Sequence, residues 1–115
     1  MKDIEGKIEL NGKVYPLVFN LNVMETIQEE YGTLEKWGEL TDGTNGEPNA
    51  KAVIFGFREM MNEGIDIQNE EQGTDVKPLT LKQVGRIITT YGLMNVTKVM
   101  NDTVVQSTQS NEKNA

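Results

Sequence analysis

The sequence predicts an α+β fold that is predominantly helical, with an N-terminal β-hairpin followed by about four to five short helices. Apolar residues alternate on both sides of Asn11-Gly12, and a helical spacing of apolar residues takes over from Val23 onward. The chain has 115 residues, a length that fits one domain with one modest core. We find no internal repeat.

The hairpin is predicted by its turn. Asn-Gly favours a type I′ turn because both central residues need a positive φ. A two-residue loop at Asn11-Gly12 pairs Ile8 with Tyr15 and collects the apolar side chains on one face. The residues of that face are Ile4, Ile8, Leu10, Tyr15, Leu17 and Phe19. Because an isolated hairpin is marginal in water, we expect helices to cover this face.

Two helices and a loop are expected next. Asn22, with Glu25 three residues later, predicts an N-terminal capping box, and Gly32 is expected to end that helix. Thr33 then caps a short second helix. The range 41–49 is rich in glycine, proline and asparagine, a composition typical of a loop.

The strongest helical period follows this loop. Its positions are Ala50, Val53, Ile54, Phe57, Met60 and Met61. We expect Gly64 to end this helix. The range 63–78 is polar and acidic and has no period, so it is predicted to be a mobile loop.

Two more helices complete the predicted domain. Thr80 and Gln83 predict a capping box, and Gly92 separates the two helices. Their apolar positions are Leu81, Val84, Ile88 and Tyr91 in the first and Leu93, Val96, Met100 and Val104 in the second. From Gln106 the chain becomes rich in Ser, Thr, Asn and Gln. We therefore predict a domain over 1–105 and a polar, disordered tail over 106–115.

Composition excludes several classes of function. The chain has no cysteine and no histidine, which removes thiol chemistry and the usual general base and metal ligand near neutral pH. Its formal net charge is −7, which disfavours nucleic acid and anionic membranes as partners. The N-terminal residues lack the apolar region of a signal peptide. We expect a cytoplasmic protein.

The search for catalytic residues is negative, and we predict a protein that is not an enzyme. Neither a phosphate-binding loop nor a dinucleotide fingerprint is present. The range 42–47 partly matches the pattern of a calcium-binding loop, but Gly46 occupies a position where a carboxylate should bind the ion. Ser107 and Ser110 are the serines of the chain and fall in the predicted tail. We assign no catalytic, cofactor-binding or metal-binding residue.

Large adaptable side chains leave a binding function open. The candidates for partner binding are Trp37, Met60, Met61, Met94 and Met100. Methionine serves both as core filler and on adaptable partner-binding surfaces. Tryptophan anchors interfaces, but it also closes small cores. We favour the core interpretation for both residue types and keep the binding one open.

The order of four segments resembles a known family. They are a hairpin strand at 12–19 (GKVYPLVF), a helix at 23–32 (VMETIQEEYG), a central helix at 52–58 (AVIFGFR) and a helix start at 79–85 (LTLKQVG). In their pattern of hydrophobicity and in their spacing they resemble the tail assembly chaperones of long-tailed bacteriophages and prophages. The resemblance covers roughly 6–105.

The resemblance implies a protein that is not an enzyme and that coats the tape measure protein before the tail tube polymerises around it. Such a chaperone is absent from the mature virion. It implies the tape measure protein as main partner, with the tail tube protein and a second copy of this chain as further candidates. Some family members also occur as a longer product made by ribosomal frameshifting near the C-terminus.

A second interpretation comes from another functional class. A small acidic domain without catalytic groups could also be a regulatory adaptor that binds a host or phage protein. Neighbouring genes distinguish the two, since a tail tube gene and a very long tape measure gene on either side favour the chaperone.

Overall fold

A computed structural model describes the backbone of residues 4–44 and 46–113 and the side chains of residues 6–44 and 46–108. An antiparallel hairpin precedes five helices, so the predicted α+β, mainly helical fold is confirmed. The elements are β1 (Ile4–Leu10), β2 (Lys13–Phe19), α1 (Leu21–Tyr31), α2 (Leu34–Thr41), α3 (Ala50–Gln72), α4 (Leu81–Tyr91) and α5 (Leu93–Lys113).

The register of the hairpin is the predicted one. Ile8 pairs with Tyr15 across the two strands. Asn11 and Gly12 have φ values of 52° and 79°, as a type I′ turn requires. Ile8, Leu17 and Phe19 are buried in the core. The backbone of Ile4 pairs with Phe19, but the expected place of its side chain falls outside the described residues.

Helices cover the hairpin through close approaches at glycine. A Cβ on Gly64 of α3 would lie 2.7 Å from Cβ of Pro16 in β2, and a Cβ on Gly6 of β1 would lie 2.6 Å from Oγ1 of Thr103 in α5. Pro16 and Val18 are therefore buried as well, although the sequence predicted one buried face. The C-terminal half of β2 is covered on both faces.

One hydrophobic core joins the hairpin to all five helices. Phe57 of α3 lies at 0% exposure within it, and Trp37 of α2 at 1%. The other buried members are Ile8, Leu17, Phe19, Val23, Ile27, Ala52, Val53, Met60, Met61, Val84, Ile87, Ile88, Val96 and Met100. The predicted apolar period of α3 is thus its core-facing side at Val53, Phe57, Met60 and Met61.

The first helix begins two residues earlier than predicted. Asn20, not Asn22, is the N-cap, and its side chain accepts a hydrogen bond from the backbone N–H of Val23 at 3.2 Å. Asn22 lies inside the helix. Strand β2 ends at Phe19, so the strand passes into the helix through a single residue. The predicted caps at Thr33 and Thr80 are confirmed.

Gly64 does not end α3. The helix continues to Gln72 and ends at Gly73, whose φ of 67° is left-handed. Gly64 is buried against Pro16, so tertiary contact stabilises a helix that local composition disfavours. The predicted loop over 63–78 is therefore wrong for 63–72, which is helical.

Two asparagine side chains hold the following segment against α3. Asn62 donates to the carbonyl oxygen of Leu79 at 3.1 Å and accepts from its N–H at 2.8 Å. Asn69 makes the same pair of bonds to Val76, both at 3.0 Å. These residues lie seven positions apart and so share one side of the helix. They give the 73–80 connection a defined path.

The last helix extends beyond the predicted domain boundary. α5 runs from Leu93 to Lys113, so the range 106–113, for which a disordered tail was predicted, is helical. Ser107 is fully buried, and its hydroxyl donates to the carbonyl oxygen of Phe19 at 3.1 Å. A polar composition predicted fraying, but this serine satisfies a strand carbonyl in the interior.

Candidate partner-binding groove

Four of the five residues predicted for partner binding lie in the core. Met60, Met61 and Met100 are 0% exposed, and Trp37 is 1% exposed. Their side chains therefore offer a partner almost no surface, in agreement with the core-filling interpretation. Met94 alone of the five is accessible, at 69%.

Trp37 has a specific place in this core. Its indole N–H donates to the carbonyl oxygen of Ala52 at 3.0 Å, and its ring lies on Gly56, where an added Cβ would fall 2.8 Å from Nε1. α2 is thereby fixed to the first turns of α3. This contact leaves the opposite side of α3 free to face α4.

A strongly apolar concavity lies between α3 and α4. We call it the α3–α4 groove. It has a volume of about 480 Å³, and its lining residues are Lys51, Ile54, Phe55, Leu81, Lys82 and Gly85. Ile54 and Phe55 are half-buried, and Leu81 is 48% exposed.

The chain builds this groove from helical spacing and one cap. Lys51, Ile54 and Phe55 occupy positions i, i+3 and i+4 of α3, which share one side of a helix. Thr80 begins α4 with a capping box, which fixes Leu81 at the first helical position beside them. The sequence predicted that Leu81 belonged to the core face, but no described element covers it.

Phe55, which lines the groove, also packs against an aromatic ring of α1. The Tyr31 and Phe55 rings meet edge to face, with centroids 5.6 Å apart. The Tyr31 hydroxyl oxygen is covered and has no hydrogen-bond partner in the described part of the structure. Burial, reinforced by the charge of Glu30, raises the pKa of Tyr31 above its usual 10.0.

Positive charge marks the two walls of the groove. Lys51 stands on α3 and Lys82 on α4, and neither forms an ion pair with another described residue. A neighbouring concavity shares Leu81 and Lys82 and adds Arg58 and Leu79. Arg58 pairs with Glu59 at 2.9 Å. The groove therefore combines an apolar floor with two free ammonium groups.

A second apolar concavity lies between α2 and α5. It has a volume of about 450 Å³ and includes Leu34, Val104 and Val105. Glu35 and Asp42 also line it, so carboxylates interrupt its apolar surface. This concavity is less suited to an apolar segment than the α3–α4 groove.

A polar cleft lined by carboxylates lies between α1 and α3. Its lining includes Glu59, Glu63 and Asp66. The side-chain amides of Asn20 and Asn22 donate to Oε2 of Glu63 at 2.7 and 3.0 Å. These bonds use Glu63 to attach α1 to α3. Throughout the described residues, no group of three acidic side chains is placed to hold a metal ion.

The segment compared with a calcium loop forms a local turn. Asp42 accepts hydrogen bonds from both the hydroxyl and the backbone N–H of Thr44. These bonds, the hydroxyl first, lower the pKa of Asp42 below its usual 3.8. The carboxylate of Asp42 thus stabilises the turn that follows α2.

Sequence reasoning did not name Lys51, Leu81 or Lys82 as candidates for partner binding. One signal could have pointed to the two residues of α4. The range 76–101 contains Lys77, Lys82, Arg86 and Lys98 but no Asp or Glu. The chain as a whole has a net charge of −7, so this segregation of charge indicates a surface whose charge is positive.

Comparison with protein-family models, curated proteins and solved structures found no match. The assignment of function therefore depends on the residues and surfaces of this chain. None of the helices among the described residues combines the length and hydropathy that crossing a bilayer requires.

Proposed function

We propose that this protein is a tail assembly chaperone of a phage or prophage. It binds the tape measure protein in the cytoplasm of the bacterial host and keeps it soluble during tail assembly. It leaves before the virion matures and catalyses no reaction. The α3–α4 groove is the observation that carries this proposal.

The apolar floor of the groove suits an apolar helix. This floor is formed by Ile54, Phe55 and Leu81, and amphipathic helices bind to grooves of this kind through residues spaced by one turn. A tape measure protein is long, and its apolar helical surface would aggregate if left uncovered. Covering that surface with several acidic copies would raise the solubility of the complex.

The resemblance of four segments to tail assembly chaperones supports the same function. Two of these segments, 52–58 and 79–85, contribute Ile54, Phe55, Leu81, Lys82 and Gly85 to the groove. Five of the six residues that line the groove thus lie in segments that carry the resemblance.

Co-expression with the tape measure protein encoded beside this chain tests the proposal. We expect an insoluble tape measure protein to become soluble and to purify with several copies of the chain. The variant Leu81→Glu should lose this effect because it places a carboxylate in the apolar groove. Its matched control is Leu93→Glu, which alters a leucine that also occupies a first helical position and is 37% exposed.

Failure of the folded wild-type chain to rescue solubility would reject the chaperone function. It would favour the regulatory adaptor instead. Equal rescue by Leu81→Glu and wild type would show that another surface binds the tape measure protein.

A further inference from the structure

We propose that the α3–α4 groove selects an amphipathic helix whose apolar stripe is flanked by carboxylates. This inference deepens the proposed function because it names the chemistry of the bound segment. It depends on that function only for the identity of the natural partner.

The distribution of charge around the groove supports an acidic partner. The first nine residues of α3, 50–58, include Lys51 and Arg58 and no acid, and α4 carries Lys82 and Arg86 and no acid. The acidic residues of α3 begin at Glu59. Arg58 pairs with Glu59, whereas Lys51, Lys82 and Arg86 form no ion pair with a described residue. These three residues put positive charge beside the groove on a chain whose net charge is −7.

The two lysines are placed to contact both flanks of a bound helix. Lys51 lies on the α3 wall and Lys82 on the α4 wall, with Ile54, Phe55 and Leu81 lining the space that they share. Long lysine side chains can lie along apolar surface while their ammonium groups reach toward water. A helix seated on the apolar floor would thus meet one ammonium group on each side.

Gly85 lets a partner approach the backbone of α4. A Cβ at this position would meet only Cδ1 of Ile54, at 3.7 Å, which is an ordinary contact. Internal packing therefore does not require glycine here, although glycine weakens a helix. Small residues allow two helices to come close together. This glycine adds depth to the groove.

Binding of two synthetic peptides tests the inference without the tape measure protein. Both peptides form amphipathic helices of equal length with the same leucine stripe, but one carries glutamates beside the stripe and the other carries lysines. We expect the full chain to bind the glutamate peptide ~10-fold more tightly in a fluorescence titration, as two charge pairs at an accessible site would give.

Charge reversal supplies the decisive comparison. Lys51→Glu/Lys82→Glu should reverse the preference between the peptides, and Lys51→Gln/Lys82→Gln should abolish it. Lys13→Glu/Lys36→Glu is the matched control, because it changes the net charge equally at exposed residues outside the groove. Circular dichroism would verify that each variant is folded.

Three results would overturn the inference. The first is that the wild-type chain binds the lysine peptide as tightly as the glutamate peptide, or more tightly. The second is that the variant Lys51→Glu/Lys82→Glu still prefers the glutamate peptide. The third is that the wild-type chain is a dimer and Leu81→Glu converts it to a monomer. The last would identify a second copy of the chain as the occupant. A peptide preference without rescue of the tape measure protein would reject the chaperone function alone, whereas rescue without the preference would reject this inference alone.

Discussion

The indole nitrogen of Trp37 lies 3.0 Å from the carbonyl oxygen of Ala52 and donates a hydrogen bond to it. Both residues are buried. The bond satisfies the polar atom of a tryptophan that is otherwise surrounded by the core. It also requires the ring to pass directly over Gly56, so the position of α2 depends on the absence of a side chain there.

Replacement of Gly56 by alanine should therefore destabilise the protein. The added methyl group would clash with Cε2 and Nε1 of Trp37, at 2.7 and 2.8 Å. We expect a loss of about 1–3 kcal/mol in the free energy of unfolding, measured by urea denaturation. Gly38→Ala is the control, since a Cβ on that helical glycine meets nothing within 4 Å. It should raise stability by about 0.5–1 kcal/mol, and equal effects of the two variants would contradict the packing described.

Phe57→Ala should be among the most damaging single substitutions in α3. The ring is 0% exposed, and removing a fully buried phenylalanine costs about 3–5 kcal/mol. Val76→Ala, at a residue 55% exposed, should change stability by less than about 0.5 kcal/mol. A loss below about 1 kcal/mol for Phe57→Ala would mean that the helix faces the core differently.

Ser107→Ala tests whether α5 is part of the folded domain beyond 105. The variant leaves the buried carbonyl oxygen of Phe19 without this donor, at a cost of about 1–3 kcal/mol. Gln106→Ala changes an exposed neighbour and should have little effect. Identical denaturation curves for wild type and Ser107→Ala would support the disordered tail that the composition predicted.

Tyr31 should make the protein less stable at alkaline pH. Its pKa is raised in the folded state, so its contribution to stability is complete below the unfolded pKa of about 10 and decreases as pH rises above it. Tyr31→Phe should reduce the loss of stability between about pH 8 and about pH 10.5, measured by urea denaturation at each pH. A loss equal to that of wild type would exclude this tyrosine as a cause.

High salt should leave the complex with the tape measure protein largely intact. Raising ionic strength from about 0.1 to about 1 M shortens the Debye length from about 10 to about 3 Å and weakens the lysine contacts. The apolar contacts persist, so we expect an affinity loss of no more than about tenfold in a binding assay. Complete dissociation would show that charge provides most of the binding energy.

Local signals predicted most of the fold, and tertiary contacts explain the differences. Asn11-Gly12 determined the hairpin register, and Thr80 with Gln83 marked the start of α4. Gly64 led to a wrong prediction of the end of α3. From the local sequence, a glycine that ends a helix cannot be distinguished from a glycine inside a helix that makes room for a neighbouring side chain. Only the position of Pro16 distinguishes the two cases.

The candidate groove was harder to predict than the fold. Leu81 lies on the apolar side of α4, and periodicity cannot show whether another element covers such a residue. The methionines left two interpretations open, and Met60 and Met61 fill the interior, as the favoured one expected. A search of the sequence for long ranges that contain basic residues but no Asp or Glu would have pointed to Lys82.

The bond between Ser107 and Phe19 joins positions 88 residues apart. Translation proceeds from the N-terminus, so the hairpin leaves the ribosome long before the helix that supplies its last hydrogen bond. Until then, β2 and the core side of α3 lack the cover that α5 gives them. Completion of the native state is therefore tied to the end of synthesis of this segment, and slow translation of α5 would lengthen the time for which the nascent chain exposes apolar surface.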